Sequence, residues 1–259
     1  MKRPKFISLA LAATFISTLI GCSGTIEMAS SWNDNAVKID GSNAEWGSSL
    51  KPLSDPPVAI GIRNDAQFLY VCLTTQDPFY EAQIINGGLT VWFDPAGQQE
   101  KSLGIRFPNY GENAPHWNPR EPLTASFPFL EPSFRELAII GPDGEPELFS
   151  VVEAKGIKVK IGATESGLVY EMQVPLKPSD TMRHAVGATE TQTVGIGFET
   201  AELGGDRLQG PSGRATAGTR GGGRRGGRGG AGAGPSLDGA GRPEVLDLWT
   251  KVLLSSPRQ

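Results

Sequence analysis

Apolar residues fall along the chain in short bursts separated by Gly, Pro, Asn and Asp. Eight bursts have strand length, at 58–63, 68–74, 89–93, 103–107, 136–140, 156–161, 168–174 and 194–199. Each is rich in Val, Ile, Phe or Tyr, whose branched or flat side chains suit a pleated surface. Val58-Ala59-Ile60-Gly61-Ile62 and Ile157-Lys158-Val159-Lys160-Ile161 alternate, so one face is buried and the other wet. A further apolar segment at 244–254 predicts a closing strand. No stretch carries a long helical period; only 179–186, after Pro178 and with Ser179 or Asp180 as cap, predicts a short helix. Many short strands joined by turns predict an all-β fold, a sandwich or a barrel.

The first residues break this pattern. Lys2, Arg3 and Lys5 precede an apolar run over 6–20 that ends at Leu19-Ile20-Gly21-Cys22. A basic start, an apolar run too short for a comfortable span and small residues at its end are the pattern of an export signal. The last four residues resemble the bacterial lipobox, which implies cleavage after residue 21 and lipidation of Cys22 by acyl chains such as palmitate. Each buried methylene of such an anchor adds about 0.8 kcal/mol. The implied protein is an exported, membrane-anchored lipoprotein of the bacterial envelope, facing periplasm or cell surface. Ser23 is compatible with sorting to an outer membrane. Residues 22–35, small and polar, read as a tether. Cys72 is then left without a partner, inside an apolar stretch where a free Cys packs as a small hydrophobe.

Composition sharpens the division. Of 34 Gly in 259 residues, 16 lie in 204–243, with seven Arg against two Asp, a net +5 in a chain whose total is −4. That segment has almost no large apolar residue to offset its ordering entropy, so it is expected to be a disordered insertion between two strands. Its centre, Arg220 to Gly230, looks like the Arg-Gly tracts that bind RNA; export argues against nucleic acid and for anionic lipid head groups or polysaccharide. The plainer reading is a tolerated loop insertion, since closure entropy grows slowly with length. Two Cys exclude a disulfide scaffold, and two His without a Cys/His cluster carry no zinc signature.

Ile39-Asp40-Gly41-Ser-Asn-Ala-Glu45-Trp46 resembles the opening of carbohydrate-binding modules of family 9 and the related DOMON-like sandwiches. Val58 to Asp65 leading to Leu69-Tyr70-Val71 and Asp77, Leu89-Thr-Val-Trp92-Phe-Asp94-Pro-Ala-Gly97, Gly167 to Leu176 with Glu171, Val194 to Glu199, and Trp249 follow in the family's order. The likeness spans 36–203 plus 244–254 and implies an antiparallel β-sandwich that binds a glycan without turning it over.

Aromatic rings that cover sugar C–H faces and polar groups that hold hydroxyls are the chemistry such a role needs. Asn109, Tyr110, Asn113, His116, Trp117 and Arg120, on the long segment after 103–107, together with Trp92, are the candidate ligand-binding residues. The resemblance also implies calcium at carboxylate-rich loops, for which Asp40, Asp65, Asp77 and Asp94 are the candidates, although no fixed-spacing calcium loop is present. Catalysis finds no Gly-x-Ser-x-Gly elbow and no base named by its neighbours, so an enzyme is not expected, a glycan hydrolase being the alternative. Some DOMON-like sandwiches hold haem; Met172, Met182 and His184, with Lys177, are the residues that could be asked to serve, and core packing is the simpler role for Met172. An envelope structural or assembly protein that has lost sugar binding is the remaining alternative.

Overall fold

The alternating bursts pair edge to edge into two sheets. The computed structural model describes residues 25–35, 37–111, 114–201 and 245–257; Cys22 and the 204–243 segment lie outside them. In chain order the strands are β1 (Ile26–Ala29), β2 (Ser31–Trp32), β3 (Leu50–Pro52), β4 (Val58–Asn64), β5 (Phe68–Thr75), β6 (Leu89–Asp94), β7 (Leu103–Phe107), β8 (Glu136–Ile140), β9 (Pro146–Ser150), β10 (Lys158–Thr164), β11 (Gly167–Pro175), β12 (Thr193–Thr200) and β13 (Asp247–Leu253). Helices α1 (Pro78–Gly87) and α2 (Leu123–Leu130) interrupt them. One sheet has the order β1-β13-β12-β6-β7-β8-β9; the other runs β10-β11-β5-β4-β2, with β3 beside β4. Pairing is antiparallel except for β1 on β13 and β2 on β4.

The result is a β-sandwich. Val91, Phe93, Ile196 and Phe198 from one sheet meet Leu69, Val71, Tyr170 and Met172 from the other in a single buried cluster. Each such side chain contributes roughly 1.5–3 kcal/mol by leaving water.

Several elements differ from the sequence expectation. Residues 179–186 form no helix: Ser179 and Met182 bond to each other across a turn, and Val186 N and Gly187 N donate to Pro175 O and Leu176 O, pinning the segment beside the end of β11. Helix α1 was hidden because Glu81, Ala82, Gln83, Ile84, Ile85 and Asn86 are all buried, which leaves no polar face to give a period. Asp77 caps it, its carboxylate accepting from Phe79 N and Tyr80 N. Helix α2 carries Pro128 inside it, a residue that sequence reading treats as a breaker. β1 and β2 lie within the stretch read as tether, so the sandwich begins by Ile26.

A second, smaller core covers the outer face of the six-stranded sheet. Trp46, fully buried, lies on Gly61, where an added Cβ would come 2.8 Å from Trp46 Cε3, and packs with Val37, Tyr70, Cys72 and Val169. The buried carboxylate of Glu171 holds this covering segment down. It accepts from Trp46 Nε1 at 2.6 Å, Gly41 N at 2.7 Å and Asp40 N at 3.0 Å. Burial pushes the Cys72 thiol well above its ordinary range, aided by the Glu171 charge, which suits an inert thiol.

Burial raises the Glu171 carboxyl above the usual glutamate range despite those three donors. Burial also raises Glu81, against one donor, Leu168 N. The folded state therefore holds more protons than the unfolded chain above the ordinary value of about 4.3. The stabilisation from these two groups is complete below that value and is lost as pH rises through their raised folded values. Chemical unfolding followed from pH 4.5 to 8 should show stability falling, and the Glu81→Gln/Glu171→Gln double variant should flatten the slope. An unchanged slope would remove these two groups as its source.

Candidate functional site

The segment after β7 is built mainly to pack. Asn109 donates its backbone N–H to Glu136 O, and its side-chain oxygen accepts from Arg106 Nη2 at 3.1 Å. Tyr110 reaches α1, its hydroxyl donating to Ile85 O at 2.7 Å, and its ring lies against Phe134; burial raises its hydroxyl well above the ordinary tyrosine value. Asn86 of α1 brackets the Trp117 backbone, donating to Trp117 O at 2.9 Å and accepting from Trp117 N at 2.8 Å. Trp117 is 3% exposed and belongs to the main core, so its ring faces are not open to a ligand. His116 and Arg120 are exposed, and Asn113 lies outside the described residues.

Beside this segment a cleft of about 470 Å³ opens towards α2, between His116, Trp117, Glu121, Ser126 and Phe129. Phe129 on its rim is 85% exposed. The Trp117 Nε1–H, within the core, is buried with no hydrogen-bond partner. An indole N–H can only donate, and leaving it unmade costs about 1–3 kcal/mol.

The outer face of the seven-stranded sheet brings together residues far apart in sequence. Register aligns Gly104, Trp92, Gly197 and Trp249 in one row across β7, β6, β12 and β13. A Cβ added to Gly104 would sit 2.5 Å from Trp92 Cζ3, and one on Gly197 would sit 2.7 Å from Trp249 Cε2. Both indoles therefore lie down on backbone that only glycine leaves open. Register sets Arg106, Thr90, Glu199 and Asp247 side by side in the adjacent row. Glu199 Oε2 accepts from Trp92 Nε1 at 2.8 Å and pairs with Lys101 Nζ at 2.5 Å. That ammonium sits 5.2 Å from the Trp92 ring centre, and Trp92 keeps 8% exposure, whereas Trp249 is more open. Arg106 Nε is buried without a partner.

Of the sequence candidates, Trp92 and Asn109 through Arg106 belong to this face, His116 and Trp117 to the cleft, while Tyr110 and Arg120 line neither. Sequence reading assigned Trp249 to a closing strand and did not single out Arg106. The available signal was glycine at alternate positions of an apolar strand, Gly195 and Gly197, which marks close approach.

The four calcium candidates are committed elsewhere. Asp94 accepts from Ala96, Gln98 and Glu100 N–H groups; Asp65 accepts from Gln67 N, Phe68 N and Tyr70 Oη; Asp77 caps α1; and Asp40 pairs with Lys38 and accepts from Ser42 N. Among the described residues no three His, Cys, Asp or Glu converge in a way that could hold a metal ion. The residues weighed for haem have separate surroundings: Met172 is in the inter-sheet core, Met182 packs on Gly156, and His184 lies edge-on to Phe149.

No family model matches the sequence, and no curated protein is significantly similar to it. Among solved structures, the chain is similar to a family 9 carbohydrate-binding module from Caldicellulosiruptor kristjanssonii, in complex with glucose (11% identity, 70% of this chain and 80% of that one, TM-score 0.36) and with cellotriose (11%, 71% and 79%, 0.36). It is likewise similar to a proposed carbohydrate-binding protein from Bacteroides uniformis, at 11% identity over 71% of this chain and 86% of that one, with a TM-score of 0.38.

Proposed function

We propose that this protein binds a glycan, without chemical turnover, on the outer face of its seven-stranded sheet. One observation carries the reading: two indoles laid on glycines in a single row, beside a row of Arg106, Thr90, Glu199 and Asp247. Solvent-facing sheet surfaces ordinarily carry polar side chains. Here the two Trp residues of that row, on β6 and β13, sit two strand spacings apart, about 9.5 Å, so a flat chain laid across them would meet apolar surface at intervals and hydrogen-bonding groups along one edge. Lys101 neutralises Glu199, which favours an uncharged, hydroxyl-rich ligand over an ion. Lipidation of Cys22 would hold this face close to a membrane of the bacterial envelope, and the Gly/Arg-rich segment would add basic charge between the two strands that carry Glu199 and Asp247.

Calorimetric titration of the full chain with soluble glycans, and retention on insoluble ones, provides the test. Trp249→Ala should weaken the bound glycan at least tenfold, about 1.4 kcal/mol, while shifting the unfolding temperature by no more than about 3 °C, as expected of a partly exposed side chain on the outer face of a sheet. No binding of any glycan by the wild type would overturn the proposal.

A further inference from the structure

The row that carries the two indoles does not end at Trp92. Gly104 of β7 stands opposite Ile140 of β8, and Ile140 opposite Pro146 of β9, so Trp249, Gly197, Trp92, Gly104, Ile140 and Pro146 cross six neighbouring strands in one line. Alternation puts Ile140 and Pro146 on the outer face, because Leu137, Ile139 and Phe149, at the opposite parity of β8 and β9, pack into the inter-sheet core. No residue of the row carries a charge. Pro146 is exposed, Ile140 half-buried, and Leu148, the next outward position of β9, is 59% exposed. β9 is the edge of the sheet, and a proline in an edge strand discourages pairing with a further strand. The row spans five strand spacings, about 24 Å, and one ring of an extended β-1,4-linked hexose chain is about as long as one spacing. We infer that the site takes a linear, uncharged polysaccharide segment of about six sugar units rather than a mono- or disaccharide, an assignment that rests on the glycan-binding reading above. The two indoles, lying on Gly197 and Gly104, cover β13, β12, β6 and β7. The neighbouring row changes character where they stop: Arg106 and Thr90 are polar, whereas Ala138 and Leu148, opposite each other on β8 and β9, are apolar. Units over β8 and β9 therefore meet apolar surface, which suits sugar C–H faces. The turn between β8 and β9 exposes Asp143 and Glu145, which disfavours an anionic chain and offers acceptors to hydroxyls.

Calorimetric titration of the full chain with β-1,4-linked glucose oligomers and with β-1,4-linked mannose oligomers, from dimer to hexamer, tests the length of the site. In a series that binds, affinity should climb at least tenfold from trimer to hexamer. Leu148→Ser, at an exposed position, should leave the trimer within twofold of wild type and cut that gain at least threefold. With Ile140→Thr added, the hexamer should bind no more than about twice as tightly as the trimer. An unchanged trimer affinity is itself the control for folding, and Leu148→Ser alone decides the matter if the double variant does not fold. Trp249→Ala should weaken trimer and hexamer alike and keep the gain. Affinity that levels off at the trimer in the wild type, or a gain that survives the Leu148 and Ile140 variants, overturns the extended site. The sheet-face reading then stands if Trp249→Ala weakens the trimer and falls if it does not. A dimer in sedimentation that Leu148→Ser dissolves, without length dependence in glycan binding, also overturns it and gives β8 and β9 to a second copy of the chain. Binding of neither series at any length removes the extended site, and the sheet face with it if insoluble glycans are not retained either.

Discussion

Glu171→Ala should destabilise the fold by about 3–5 kcal/mol, a fall of roughly 6–20 °C in unfolding temperature. The carboxylate is fully buried and serves three donors belonging to a segment more than a hundred residues earlier in the chain. Truncation leaves the Trp46 indole N–H and the Asp40 and Gly41 amides without their acceptor, beside the small apolar cluster of Val37, Tyr70, Cys72 and Val169. Relief of the carboxylate's own desolvation offsets part of this, which is why the expected loss is less than three unpaired donors would give. Glu171→Gln keeps one acceptor oxygen and should cost distinctly less. Urea unfolding followed by tryptophan fluorescence checks both, and a loss under about 1 kcal/mol for Glu171→Ala would show that the Trp46 segment is held by burial alone.

The strands were legible because short apolar bursts bounded by turn residues mark them even where both faces are buried, as in β6, and because alternation survives at the sheet edge in β10. In β4 the alternation of 58–62 did not mean a wet face, since Trp46 covers Gly61 from outside. Elements without such a bounded burst were not legible. Helix α1 buries six of its ten residues and so shows no helical stripe, and β1, only four residues long, makes its ladder with β13 at the far end of the chain. The aromatic segment at 107–120 looked like a ligand site by composition, yet Trp117 and Tyr110 turn inward because Asn86 and Ile85 of α1 offer them backbone and side-chain partners. The sheet face needed register: nothing in local sequence says that Gly104 and Gly197 flank Trp92, or that Arg106 and Glu199 stand on either side of Thr90. Residue types announced the chemistry, while pairing between distant strands decided which of them share a surface.

Register also exposes the tightest backbone approach among the described glycines. A Cβ added to Gly162 of β10 would lie 1.9 Å from Gly41 O and 2.7 Å from Gly41 C, and Gly41 itself holds a φ of +83°. Those are backbone atoms with no rotamer to escape into, unlike the Trp46 ring that an added Cβ on Gly61 would meet at 2.8 Å. Gly162→Ala must therefore push the 40–41 turn off the sheet, breaking the Asp40 and Gly41 hydrogen bonds to Glu171 and leaving that buried carboxylate with Trp46 alone. The expected cost is about 3–5 kcal/mol, against about 1–3 kcal/mol for Gly61→Ala, where a side chain can give way. Because the clash and the carboxylate act on the same turn, the two largest losses cannot be independent. In the Glu171→Ala background the turn has already lost its anchor, and Gly162→Ala should cost at least 1 kcal/mol less there than in the wild type. Additive losses across the four proteins of that cycle would mean that Gly162 and Glu171 support the sandwich by separate routes.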